Sequence, residues 1–379
     1  MTEKKNDKIS STEIKLYNKR LIFRTLLKAD SVTKQELAAQ TSLSIPKITQ
    51  VLAELSDQGL VRTSGIQASS GGRRPEAFCA EVNSRLAAGI NITRHHLNFS
   101  VLNLKGELVV NERISFYVKM DADFSSRIYS RFMQFLGEHS VSYNKLTGLG
   151  IALPGIISLD NDFLAYSHVM QTSEPFDLRP LKNMFKIPVT FFNDANAACM
   201  AECYTGQAPA SFNFLSLSDT VGGAMVIDQQ IVSGSSGRAG EPGHIQIVPG
   251  GKPCYCGKTG HYDSYGSSLL LSEAAGGSLA DFFSGLAQQN PAYVQIFDEY
   301  LYYLALLTSN LRLWTDLPVL IGGYTASYLA PYLHRLKAKI AEMSIFTEER
   351  EYLYLSSYCY EASSVGCARY FVEYFIDRL

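Results

Sequence analysis

Apolar residues along the first sixty positions recur at helical spacing. Ile14, Leu16, Leu21, Ile22, Leu26 and Leu27 form one stripe, which predicts an amphipathic helix over 12–28. Ser31-Val32-Thr33 resets the chain, and Thr33 with Glu36 three residues on has the spacing of a capping box. A short helix is expected over 33–40, a tight turn at Thr41-Ser42-Leu43, and a further helix capped by Ser44 and running to about Gln58. Pro46 falls in its first turn, where a missing N–H is tolerated, and Gly59 ends it. Two short strands are expected at 61–63 and 78–81, joined by the glycine-rich stretch Ser69-Ser70-Gly71-Gly72-Arg73-Arg74-Pro75. Helix, helix, turn, helix and a two-stranded wing make a winged helix-turn-helix, the layout in which the second helix of the pair enters a DNA major groove. Its outward positions Ser44, Pro46, Lys47, Thr49 and Gln50 carry short polar groups for bases and phosphates, and Arg73 and Arg74 suit a narrow minor groove. A three-helix module that docks on protein is the alternative.

Beyond residue 82 the period changes. Strand-like runs at 87–92, 97–103 and 107–115 precede a helix across roughly 122–139, then strands at 149–152 and 189–192 and a helix over 195–204. A second set follows, with strands at 214–217, 223–227 and 230–232, a long helix over 291–313 and a strand at 318–321. Three strands and a helix occurring twice predict two α/β lobes, approximately 83–195 and 196–379, with a ligand cleft between them. The expected organisation is a reader domain over 1–82 and a two-lobed body over 83–379.

Charge supports that division. Residues 1–80 hold 13 Lys and Arg against 8 Asp and Glu, and the remainder 21 against 28, a basic head on an acidic body. No apolar run is long enough for a membrane span, the N-terminal residues lack the apolar core of a secretory signal, and seven Cys suit a reducing compartment. A cytoplasmic protein with no membrane partner is expected.

Candidate chemistry concentrates in residues 241–263. Cys254 and Cys256 stand one residue apart, with His244 ten residues before the first and His261 five after the second. Two thiols and two imidazoles make a closed tetrahedral Zn²⁺ set, with unmetallated packing as the alternative. Of the other candidates, His95 and His96 are expected on opposite faces of a strand, and Cys199 and Cys203 as packing groups one helical turn apart. The tyrosines at 352, 354, 358 and 360 are read as strand packing.

Four motifs, Gly72-Arg73-Arg74-Pro75, Asn193-Asp194-Ala195-Asn196-Ala197, Gly240-Glu241-Pro242-Gly243-His244 and Cys254-Tyr255-Cys256-Gly257-Lys258-Thr259-Gly260, resemble those of the ROK family of repressors, open reading frames and sugar kinases. The resemblance covers essentially the whole chain. It implies an α/β body with the two-lobed fold of actin-like ATPases behind the reader head. It also implies a sugar site of Asn193, Asp194, Glu241, His244 and Asp263, with the Pro154-Gly155 turn beside them. In family kinases the residue matching Asp194 takes the proton of the attacking sugar hydroxyl. The family's metal site uses one His and three Cys, so His261 stands where a third Cys is expected, and Asp263 where the family has Glu. The kinase phosphate loops are also altered: Asn91-Ile92-Thr93-Arg94-His95 replaces an Asp-x-Gly-Gly-Thr loop and Ser218-Asp219-Thr220 a Gly-Thr-Gly loop. Without those glycines the backbone has lost close access to phosphate.

These readings imply a sugar-responsive repressor of carbohydrate-utilisation genes, with no catalytic residue. It would bind operator DNA as a homodimer or homotetramer, with a small sugar effector in the cleft and Zn²⁺ holding the site. An ATP-dependent sugar kinase and a regulator controlled by a protein partner are the alternatives.

Overall fold

The computed structural model describes residues 10–66, 76–172, 174–204, 207–346 and 350–379. Arg73 and Arg74, with Gly72 and Pro75, lie outside these residues.

The head comprises α1 (Ser11–Leu27), β1 (Val32–Thr33), α2 (Lys34–Thr41), α3 (Ile45–Asp57), β2 (Val61–Ile66) and β3 (Glu76–Ala80). Thr33 and Glu36 form the expected capping box: the Glu36 N–H donates to Thr33 Oγ1 at 3.2 Å and the Thr33 N–H donates to the Glu36 carboxylate at 2.7 Å. The turn between α2 and α3 closes with Ser42 in the left-handed region at φ 57°. Ser44 takes the N-cap backbone conformation but its hydroxyl makes no capping bond, contrary to expectation. The reason is next door, since Pro46 removes one of the two N–H groups that an N-cap side chain normally accepts from. α1 also differs from its stripe: Ile22, Phe23 and Leu26 are buried, whereas Ile14 is 49% exposed. β1, read from sequence only as a helix start, pairs antiparallel with β3 and completes a three-stranded sheet, β1-β3-β2.

The body repeats one topology. β4 (Leu86–Ile92), β5 (His96–Asn103) and β6 (Leu108–Ser115) form an antiparallel meander, and after α4 (Phe124–Glu138) the strand β7 (Leu146–Leu153) lies parallel to β4. A small sheet of β8 (Ile156–Ile157), β9 (Phe163–Tyr166) and β10 (Phe176–Asp177), then α5 (Arg179–Asn183), lead to β11 (Val189–Asn193), parallel to β7, and to α6 (Asp194–Cys203). In the second lobe β12 (Phe212–Leu217), β13 (Val221–Ile227) and β14 (Gln230–Ile231) make the meander. The helices α7 (Asp263–Gly266), α8 (Ser268–Ala274), α9 (Leu279–Ala287) and α10 (Pro291–Thr315) follow. β15 (Val319–Gly322), α11 (Ala326–Leu329), α12 (Leu333–Met343) and β16 (Leu353–Leu355) complete it, and α13 (Ala362–Ile376) follows. The two sheets read β11-β7-β4-β5-β6 and β14-β13-β12-β15-β16, the same strand order with the same directions. Each meander buries an apolar face: Phe99 stacks on Phe135 of α4 at 4.9 Å in the first lobe, and Leu215 and Leu217 share a core with Phe297, Leu301 and Leu304 of α10 in the second.

α13 returns from the second lobe to the first sheet. Small residues let it sit close: a Cβ on Gly366 would stand 1.7 Å from the Ala197 carbonyl oxygen of α6, and one on Gly89 of β4 would stand 1.9 Å from the Ser364 carbonyl oxygen. Farther along, Phe371, Val372 and Ile376 join one apolar cluster with Ile22, Leu26 and Leu52 of the head. Arg24 of α1 pairs with Glu373 at 2.7 Å and with Asp377 at 3.1 Å. Among the described residues no helix is long and apolar enough to cross a membrane.

Candidate functional site

The metal-ligating candidates are brought together by tight backbone turns. Pro242–His244 is a single 3-10 turn, and the chain then pairs with itself, the Tyr262 N–H donating to the Ile245 carbonyl at 2.9 Å and the Cys254 N–H to the Lys258 carbonyl at 2.8 Å. Gly260 must be glycine: its φ is +76° and a Cβ would meet the Val248 carbonyl oxygen at 1.8 Å. The result places one ligand atom from each of His244, Cys254, Cys256 and His261 within 4.8 Å of all the others. His244 Nδ1 lies 3.4 Å from His261 Nδ1, Cys256 Sγ 3.2 Å from His261 Nδ1, and Cys254 Sγ 3.9 Å from His244 Nδ1.

Bonds of about 2.0–2.3 Å to nitrogen and sulfur put the corners of a zinc tetrahedron about 3.3–3.8 Å apart. The four atoms therefore fit a metal ion. Protonation agrees: burial pushes the Cys254 thiol up to about 11 and, with His261 and His168 nearby, pulls His244 down. A thiol so placed loses its proton near neutral pH only when a metal cation takes its place on the sulfur, and a ring nitrogen each from His244 and His261 completes the set.

Beside this cluster, a cavity of about 350 Å³ is lined by Pro154, Gly155, Asn193, Asp194, Glu241 and His244. The turn at Gly155 has φ +132°, and a Cβ there would meet the Tyr166 carbonyl oxygen at 2.4 Å. Asn193 caps α6, its Oδ1 accepting the Asn196 N–H at 3.0 Å while its Nδ2 donates to the Gly155 carbonyl at 3.0 Å. Asp194 opens α6; burial raises its carboxyl, which accepts the Ala195 N–H at 3.0 Å. Burial and the neighbouring Asp194 push Glu241 up to about 7. Two carboxyls in one small cavity, one holding a proton near neutrality, give acceptors and a donor for a hydroxyl-bearing ligand.

Asp263 does not line that smaller cavity. It is 5% exposed, its Oδ2 accepts the Val221 N–H at 2.6 Å, and burial pushes its carboxyl up to about 6. It lines a larger adjoining cavity of about 910 Å³, into which Pro154 and Asp194 also face.

Sequence reasoning passed over Tyr255. Its Oη lies 3.2 Å from His244 Nε2, its ring packs against His168 at 5.5 Å, and it lines both cavities. The signal for it was its position between two thiols, which forces its side chain out beside the ligands. His95 lies in the turn before β5 rather than on the strand, next to Tyr117 at 5.7 Å. Cys199 is buried in α6, as a packing residue would be.

At the head, α3 buries Ile48, Val51, Leu52 and Leu55 and turns Ser44, Pro46, Thr49 and Gln50 to solvent, with Lys47 half-buried. Gln50 Nε2 donates to Glu54 Oε1 at 3.1 Å and Lys47 Nζ to Gln50 Oε1 at 3.5 Å, so these side chains are held along one face.

A duplicated meander-and-crossover body with its cleft between the lobes has the fold of the actin-like sugar kinases, here carrying a helix-turn-helix head. The chain belongs to the ROK family, which it matches over residues 87–373. It is 22% identical over 262 residues to the DNA-binding transcriptional dual regulator NagC of Escherichia coli, covering 69% of this chain and 64% of NagC. The chain thus spans under two thirds of that relative. The repressor Mlc of Escherichia coli is 27% identical over 74% of this chain and 70% of its own, and the xylose repressor of Bacillus subtilis 25% over 70% and 69%. Among solved structures, a ROK family transcriptional regulator homologous to Mlc superposes with a TM-score of 0.78 at 21% identity, over 96% of this chain and 97% of its own. A ROK glucokinase from Streptomyces griseus, in complex with glucose and AMPPNP, superposes with a TM-score of 0.65 at 19% identity, over 75% of this chain and 98% of its own.

Proposed function

We propose that this protein is a sugar-responsive transcriptional repressor of carbohydrate-utilisation genes, working in the cytoplasm as a homodimer or homotetramer. The observation that carries the reading is that a polar cleft and an outward helical face of short polar groups share one chain, whose last helix shares an apolar cluster with the head. The head uses Ser44, Pro46, Lys47, Thr49 and Gln50, with Arg73 and Arg74, to meet operator DNA. The body uses Asn193, Asp194, Glu241 and His244, with the Pro154-Gly155 turn and Asp263, to hold the sugar. Repressors named among the relatives support this reading. So does the replacement of the phosphate-loop glycines, which leaves Asp194 as a hydrogen-bonding group rather than a base.

Zn²⁺ is the metal proposed for His244, Cys254, Cys256 and His261. Its chemistry is structural: a closed four-ligand shell fixes the turn that carries His244 and the start of α7 that carries Asp263. The sugar switches the protein only by binding one arrangement of lobes and head better than another.

The test is binding of purified protein to operator fragments, titrated against a panel of sugars and sugar phosphates. One sugar is expected to shift operator affinity, and Asp194→Ala to abolish that shift while leaving DNA binding in place. A variant that still responds would remove the pocket from the reading. Sugar-dependent formation of ADP from ATP would replace the repressor with a kinase.

A further inference from the structure

The imidazole of His244 faces two ways. Nδ1 turns toward the ligand cluster, 3.4 Å from His261 Nδ1 and 3.9 Å from Cys254 Sγ. Nε2, at the other end of the ring, is the atom left for the smaller cavity that His244 lines. That atom already has a partner, since Tyr255 Oη lies 3.2 Å from it. An imidazole nitrogen makes one hydrogen bond, in the plane of its ring, whichever tautomer is present. A sugar hydroxyl and the Tyr255 hydroxyl therefore exclude each other at His244.

Tyr255 also bridges the cleft. It belongs to the second lobe, and its ring packs edge-on at 5.5 Å against His168 of the first. The two sides are held unequally. His168 is half-buried, on a turn fixed by the buried Ser167, whose hydroxyl donates to the Pro154 carbonyl and accepts the Met170 N–H at 3.1 Å. The Thr172 N–H closes that turn by donating to the Ser167 carbonyl at 3.1 Å, and the Tyr166 ring packs on His168 at 4.4 Å. Tyr255, by contrast, is 46% exposed and opens onto the larger cavity, so it is the side with room to swing. A phenol ring is rigid, and moving Oη off His244 moves the whole ring against His168.

We propose that Tyr255 is a latch on the sugar pocket. With the pocket empty, its hydroxyl holds His244 Nε2 and its ring holds His168 across the cleft. A sugar hydroxyl that takes Nε2 frees the ring and unties that contact between the lobes. The sugar thus binds the unlatched arrangement in preference to the latched one, which is the differential affinity any switch requires. This rests on the sugar-sensing reading above and adds how that site is regulated.

The test is calorimetric titration of the full chain with glucose, xylose and N-acetylglucosamine. Tyr255→Phe keeps the ring and removes only the hydroxyl. It is expected to bind whichever sugar the parent binds about two- to tenfold more tightly, the weight of one hydrogen bond that no longer has to be broken. Tyr255→Leu, a second variant without the hydroxyl, is expected to shift the same way, so that a folding defect in either, seen by circular dichroism, leaves the other as the measure. Unchanged or weaker binding would overturn the latch and leave the sugar-sensing reading standing. The His168 imidazole resonance, assigned by its loss in His168→Gln, is expected to move on adding sugar toward its position in Tyr255→Leu. A resonance that stays in place would overturn the release across the cleft. Failure of every sugar to bind any of these proteins would overturn both readings.

Discussion

Gly366 shows how a missing side chain sets the seating of a helix. Replacing a helical Gly by Ala in an exposed position stabilises by up to about 1 kcal/mol, whereas overpacking a closed interface costs about 1–3 kcal/mol. Here the Cβ would meet the Ala197 carbonyl oxygen at 1.7 Å, a backbone atom that cannot rotate aside, so the second effect wins. Gly366→Ala is expected to lower Tm in scanning calorimetry; an unchanged or higher Tm would mean that α13 is free to shift. Glu241 gives a pH-dependent expectation. Its carboxyl keeps a proton up to about pH 7 in the folded chain, against an ordinary value of 4.5. Between those values the folded state binds more protons than the unfolded one, so stability falls as pH rises through the window. Glu241→Gln is therefore expected to gain stability over the parent protein at pH 8 and none at pH 4, read from urea midpoints. Equal gains at both would show that the side chain is not perturbed.

The loop that carries the proposed metal ligands gives the expectation at the scale of an element. Its turns hold Gly250, Gly257 and Gly260 at positive φ, and it carries His244, Cys254, Cys256 and His261. Chelator is expected to lower Tm and strip about one zinc per chain by metal analysis. Cys254→Ser is expected to start from the lower Tm and to show no further shift with chelator. An identical chelator response in both proteins would place the metal elsewhere. The loop was readable in sequence because its chemistry is local, with all four ligands inside eighteen residues. The strands of the two meanders were equally legible for another reason, since β4, β5 and β12 are buried on both faces and read as short continuous apolar runs. α13 was not. Ala362, Ser363, Ser364, Gly366, Cys367 and Ala368 are all buried between α6 and the first sheet, so no polar stripe alternates with an apolar one. The small sheet of β8, β9 and β10 escaped for a different reason, its strands being of two to four residues. Tyr255 escaped because aromatic residues between ligands carry no periodic signal at all.

At the scale of the whole molecule the two lobes are not independent of the head. Val365, Phe371, Val372 and Ile376 of α13 are buried, and each contributes about 1.5–3 kcal/mol. Four such residues together rival the roughly 5–15 kcal/mol by which a domain is stable at all. Removing residues 362–379 is expected to leave an aggregating chain rather than a soluble reader and body, checked by size-exclusion chromatography and proteolysis. Recovery of a folded, DNA-binding fragment would show that the head needs no support from the body.

The short connection between head and body has a consequence for the DNA. Five residues, 81–85, separate β3 from β4, and Arg24 is tied to Glu373 and Asp377 on the body's last helix. The head is bolted on rather than leashed. In the proposed operator-bound assembly the separation of the two α3 helices would be dictated by how the bodies meet, with no slack for the DNA to take up. Half-sites moved apart by five base pairs would then face opposite sides of the duplex, and the protein would have to let go of one of them.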